Sequence, residues 1–158
     1  MGRWTGSWLS GPASAAVGSL KAADGHPGER LGLPRTGPGS AVGFGRRLAG
    51  FLVDSVIANL LVGLVYLGGL HPGPGLRGEL VVAGFLLQEL VLISAAGATI
   101  GMRMAGVRVV RAADGGPPGV AMVALRTALL ALLVPAVIWD SDGRGMHDRA
   151  SGTIVVRA

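Results

Sequence analysis

Residues 48–70 read LAGFLVDSVIANLLVGLVYLGGL, an apolar run interrupted by one charge, Asp54. About 20 apolar residues span the hydrocarbon core of a bilayer, so the run predicts a membrane-crossing helix. A carboxylate inside such a helix costs about 2.5 to 3.5 kcal/mol on insertion scales, and it is therefore paired, solvated or used. Arg46 and Arg47 stand at the mouth of the run. Arg47 precedes Asp54 by two helical turns and shares its face, which Gly50 and Ala58 extend as a path for close helix contact.

Two further apolar segments, Leu80 to Ala98 and Val120 to Trp139, have similar lengths. With 50% of 158 residues hydrophobic and 15% charged, the chain falls on the membrane side of the usual composition ranges. Its first residues hold no continuous apolar stretch of signal length, so no cleaved signal peptide is expected. The net charge of +5 comes from arginines beside the apolar segments, with Lys21 the only lysine. Arg46, Arg47, Arg103, Arg108 and Arg111 flank segment ends, whereas the Leu70 to Glu79 connection holds only Arg77, balanced by Glu79. Positive-inside bias therefore predicts a multi-pass protein of the cell membrane with its N-terminus in the cytoplasm. Aromatic residues are scarce and do not interleave with basic ones, which argues against nucleic-acid binding. Without cysteine there is neither a disulfide nor a thiolate metal site.

Composition divides the chain into a Gly- and Pro-rich tail, residues 1–43, expected to be flexible and cytoplasmic, and a membrane domain, residues 44–158. Within the tail Trp8, Leu31 and Leu33 are candidates to dock on something, and Trp4 and Trp8 suit a membrane interface. His71-Pro72-Gly73-Pro74-Gly75 is a turn signal that joins the first two apolar segments as an antiparallel helical hairpin. Gly73, Gly75 and Gly78 spell a dinucleotide-type glycine pattern. It is rejected, since no strand precedes it and proline lies inside the loop. Val107, Val109 and Val110 read as a short strand, as does Thr153-Ile154-Val155-Val156, and the simplest partner of each is the other. Such a ribbon requires both on one side of the membrane. The third apolar segment, with Pro135 in its last third, then either crosses fully or dips in and returns. The expected fold is an all-α integral membrane protein: a helical hairpin, a third apolar helix that spans or re-enters, and a small cytoplasmic cap with a two-stranded ribbon.

At about 1.5 Å rise per residue, Asp54 lies roughly 9 to 10 Å into its helix, Glu89 roughly 13 to 14 Å from its cytoplasmic end, and Arg126 about 9 Å into the third segment. Asn59 and Gln88 fall near the same layer. One reading is a cation or proton relay in which Asp54 and Glu89 exchange a proton or bind a monovalent cation while Arg126 tunes them. The other is an ion pair between Asp54 and Arg126 that sets helix packing, with Glu89 protonated or facing a partner protein. His147-Asp148-Arg149 lacks a nucleophile or further ligands and reads as an exposed turn on the helix ends, not a catalytic or metal site. No enzyme activity, cofactor or metal is expected.

Three separated blocks carry a family resemblance: Gly45-Arg46-Arg47-Leu48-Ala49-Gly50-Phe51-Leu52-Val53-Asp54; Thr99-Ile100-Gly101-Met102-Arg103-Met104-Ala105-Gly106-Val107-Arg108-Val109-Val110; and Met146-His147-Asp148-Arg149-Ala150-Ser151-Gly152-Thr153-Ile154-Val155-Val156. In this order they resemble the RDD family of small membrane proteins, named for one arginine and two aspartates. By position the resemblance assigns the arginine to Arg47 and the aspartates to Asp54 and Asp148. The segments around Trp8 and Leu31 are similar to those of actinobacterial members, and Met102 stands where the family often has lysine. The resemblance implies no enzyme; transport of unidentified ligands has been proposed for the family, with sodium–proton antiport associated with some members. The expected roles are thus transport-associated cation or proton exchange through an oligomer, or a non-transporting scaffold or accessory subunit. Arg47, Asp54, Glu89, Arg126 and Asp148 form the candidate polar site.

Overall fold

A computed structural model describes residues 26–69, 71, 73, 75–132 and 144–158. Two long helices dominate it, α1 over Phe44–Leu67 and α2 over Leu76–Ala96. Both are long and apolar enough to cross a membrane. The buried stripe of α1 is Gly50, Asp54, Ala58 and Val62, spaced one turn apart, and at Gly50 the backbone of Gly101 and Met102 approaches closely. Leu52, Leu60 and Leu64 on α1, and Leu87 and Val91 on α2, are more than half exposed. That arrangement suits hydrocarbon as the surrounding solvent, and the chain is an all-α membrane protein with a small ribbon attached.

Helix α2 ends at Gly97, whose left-handed backbone (φ 68°) closes the helix through a bond to the Ile93 carbonyl. The Gly97 carbonyl in turn accepts from the Val109 amide at 2.7 Å, which ties the helix end to the ribbon. Between them lies α3, Ile100–Met104, a single turn capped by Thr99. Strands β1, Val107–Arg111, and β2, Thr153–Arg157, pair antiparallel with Val109 opposite Val155. Helix α4, Val120–Ala131, follows β1, and the short α5, Met146–Ala150, precedes β2.

The expected pairing of the two strands is therefore observed. The strands that flank the third apolar segment in sequence thus sit side by side. Pro135 and Trp139, on which the sequence reading of this segment also drew, lie outside the described residues, as do Trp4 and Trp8.

One boundary moves. Residues 26–42, placed by composition in a flexible tail, pack on the ribbon. Ala41 bridges Val156, and the Gly39 amide and Ser40 carbonyl bond Arg157 at 2.9 Å each. One ribbon face packs Val107, Val109 and Val155 with Val42, with Ile93 of α2 and with Val123 of α4. The opposite face, Val110, Ile154 and Val156, is covered by Leu31, Leu33 and Ala41. A two-stranded ribbon is marginal alone, and these segments supply the apolar cover it needs. Leu31 and Leu33, read from sequence as candidates to dock, are thus docked on the ribbon.

The absence of native cysteine makes single-cysteine labelling clean. Arg108→Cys and Arg149→Cys, exposed positions on either side of the third segment, are expected to react with a membrane-impermeant maleimide from the same side of sealed vesicles. Labelling from opposite sides would contradict the ribbon.

Candidate functional site

The charged groups separate into two sites. Asp54, fully buried, is held by three donors: Thr99 Oγ1 at 2.5 Å on Oδ2, and the Gly101 amide at 2.8 Å and Gln88 Nε2 at 3.0 Å on Oδ1. Thr99 does double duty, for its Oγ1 also accepts from the Met102 amide at 3.1 Å as the cap of α3. The carboxylate thus anchors α1 to the start of α3 and to α2. Gly101 must be glycine here, since a Cβ would meet the Gly50 carbonyl and would lie 2.7 Å from Asp54 Oδ2. The proposed ion pair between Asp54 and Arg126 does not form. Neutral donors satisfy Asp54 instead, and Arg126 is committed elsewhere.

Arg126 projects from α4 into a second, ionic cluster. Its Nε donates to Asp148 Oδ1 and its Nη1 to Glu89 Oε2, both at 2.9 Å. Glu89 is thus neither left without a charge partner nor turned outward. Asp148 Oδ2 also accepts from Arg47 Nη1 at 2.5 Å, while Arg47 Nε donates to the Val42 carbonyl at 3.2 Å. Glu89, Arg126 and Asp148 are each 4% exposed or less. Two guanidiniums and two carboxylates therefore neutralise one another across α1, α2, α4 and α5. His147 Nε2 lies 3.5 Å from Asp148 Oδ1.

His147 and Asp148 were expected on an exposed turn, yet both are buried. The apolar strand that follows, Thr153–Arg157, is what draws α5 inward. Burial pushes the Asp148 carboxyl up, but Arg126 and then Arg47 outweigh that push and hold it down at about 2. Ser151 Oγ, which bonds the His147 carbonyl at 2.7 Å and Thr153 Oγ1 at 2.9 Å, stiffens the turn that presents Asp148. Asn59, expected near this layer, is exposed and bonds along its own helix, to the Ser55 carbonyl.

Beside the cluster is a cavity of about 480 Å³ between α1, α2 and α4. Leu48, Phe51, Val82, Phe85 and Leu130 form its apolar walls, and Arg47, Glu89, Arg126 and His147 its polar edge. Asp54 does not line it. Among the described residues, no group of three or more His, Asp and Glu side chains is placed to hold a metal ion.

Of the five candidate residues, Arg47, Glu89, Arg126 and Asp148 come together, while Asp54 stands apart in its own cage. Thr99, Gly101 and Gln88, the partners of Asp54, were not assigned that role from sequence. The signal was present in Thr99-Ile100-Gly101, a helix cap followed by a glycine, set against Gly50 on α1. A family model described as RDD family matches residues 41–152, which include both sites whole. No curated protein and no solved structure matches.

Because the folded value for Asp148 is depressed, its contribution is fully present above the unfolded value near 4 and is lost as pH falls toward 2. The linked stabilisation is on the order of 2 kcal/mol. Unfolding in mixed micelles between pH 5 and 2 should steepen with acid in the wild type, and Asp148→Asn should flatten that slope. An unchanged slope in the variant would contradict the assignment.

Proposed function

The chain belongs to the RDD family, and from the two sites within the matched region we propose that it is a transport-associated membrane protein that exchanges protons or monovalent cations at Glu89. The observation that carries this reading is the position of Glu89: it is buried in a spanning-length helix, bonded through Oε2 to Arg126, and lines the cavity between the helices. A buried ionisable residue that faces an intramembrane cavity is the usual mark of an ion or proton path. Arg126 would act as the switchable partner, released from Glu89 when the carboxyl takes up a proton and retained by Asp148. Asp54 is assigned to assembly, since its three neutral donors leave it neither a cation to exchange nor a cavity to face.

The two helices of spanning length among the described residues do not enclose a path, so the working unit is an oligomer built through the exposed apolar faces of α1 and α2. The arginine bias at the ribbon end supports a multi-pass protein of the cell membrane with its N-terminus and ribbon in the cytoplasm. The RDD family is not a known enzyme family, and no catalytic role is assigned. A second reading, a scaffold or accessory subunit, draws on one observation: the four charges of the cluster are mutually satisfied, as in a purely structural clamp.

Reconstituted vesicles carrying an internal pH dye distinguish the two. Under an imposed sodium or potassium gradient, wild-type protein should move protons, and Glu89→Gln should lower the rate per folded molecule by about tenfold or more. Asp54→Asn should reduce the folded yield, because an unmatched buried donor costs about 1 to 3 kcal/mol, while leaving the rate per folded molecule intact. Equal rates for wild type and Glu89→Gln, or no flux from either, would overturn the exchange reading.

A further inference from the structure

At the outer edge of the ribbon, where residues 35–43 lead into α1, three arginines converge on a second cavity. It measures about 220 Å³ and is lined by Arg35, Arg46 and Arg157 together with Thr36, Ser40 and Gly43. None of the three arginines forms an ion pair with a described residue. Arg46 is partly engaged, through Nη1 to the Ala105 carbonyl at 3.1 Å, and Ser40 Oγ donates to the Gly37 carbonyl. Three positive charges around one small cavity repel one another, and an anion seated among them relieves that cost.

The end of α1 points the same way. Gly43 is its N-cap with φ −69° and ψ 165°, and no side chain caps the helix. A Cβ at Gly43 would meet nothing within 4 Å, so the space before the first helical amides is open. The positive end of the helix dipole favours an anion there. Guanidiniums bind phosphate oxygens in paired hydrogen bonds, which makes a phosphate group the best chemical match for this cavity.

We infer that the cavity formed by Arg35, Arg46, Arg157 and the start of α1 binds the phosphate of an anionic membrane phospholipid. The lipid is the indicated source because α1 is a 24-residue helix of spanning length, so its first turn and the cavity beside it lie at the level of the headgroups. The site would fix the depth and tilt of α1, and with it the height of Arg47, the next residue along.

The full chain in micelles of a neutral detergent is titrated with short-chain phosphatidylglycerol, with phosphatidylcholine of the same chain length, and with sodium phosphate. Binding should favour phosphatidylglycerol. Arg35→Gln with Arg157→Gln, which removes no side-chain hydrogen bond or ion pair among the described residues, should weaken that binding about tenfold. Gly43→Asp provides a sharper test. The backbone there already suits a capping carboxylate, so this variant should unfold no more readily than wild type while losing the preference for the anionic lipid. Arg77→Gln, at the hairpin end, should change nothing. Equal binding of the two lipids by wild type, or a preference that survives the Arg35/Arg157 and Gly43 variants, would overturn the site. Displacement of phosphatidylglycerol by an equal concentration of sodium phosphate would overturn the lipid as its occupant.

Discussion

The Asp148 carboxylate, gripped on one side by Arg47 and on the other by Arg126, is the contact on which the rest of the architecture depends. The bond to Arg47 joins the last turn before β2 to the start of α1. The bond to Arg126 joins it to α4, and Arg126 extends the grip to Glu89 on α2. Helices in a bilayer gain little from apolar contact with one another, because lipid tails solvate them equally well. Directional, desolvated charge contacts therefore do much of the positioning. Such a cluster is costly to assemble, and removing one member strands the others; this favours a single geometry.

Two carboxylates that look alike in sequence thus have different work. Asp54 accepts from a hydroxyl, an amide and a carboxamide in a closed cage, and its neighbours Gly50 and Gly101 are small because the α1 and α3 backbones meet there. Glu89 shares its charge with Arg126 and borders an apolar cavity. The first environment has no room for change. The second has space on one side and a partner that can remain bound to Asp148 on the other. This asymmetry is why exchange chemistry is placed at Glu89 and assembly at Asp54.

Much of the fold was legible in the chain. Apolar runs of bilayer length gave α1 and α2, the valine clusters gave the ribbon, and Gly50 with Ala58 marked the packed face of α1. Asp54, Glu89 and Arg126 were legible as a polar layer because charge inside an apolar run is rare. Their pairing was not. Depth along a helix can be counted from sequence, but the rotation of one helix against another cannot, so Asp54 and Arg126 at similar depth were matched although they belong to different clusters. The docking of Leu31 and Leu33 was legible too, but not the surface they cover, which exists only once β1 and β2 have paired. The burial of Asp148 was hidden likewise, because it depends on partners far away in sequence.

If Asp148 is the clamp, its coupling to the two arginines exceeds what either contact contributes to an ordinary exposed ion pair, about 0 to 1 kcal/mol. A double-mutant cycle with Arg47→Met and Asp148→Asn, read as unfolding free energy in mixed micelles, measures this directly. The account predicts that each single change destabilises strongly and that the pair together costs at least 1 kcal/mol less than the sum, on the order expected for residues in one buried network. Simple additivity of the two changes would contradict it.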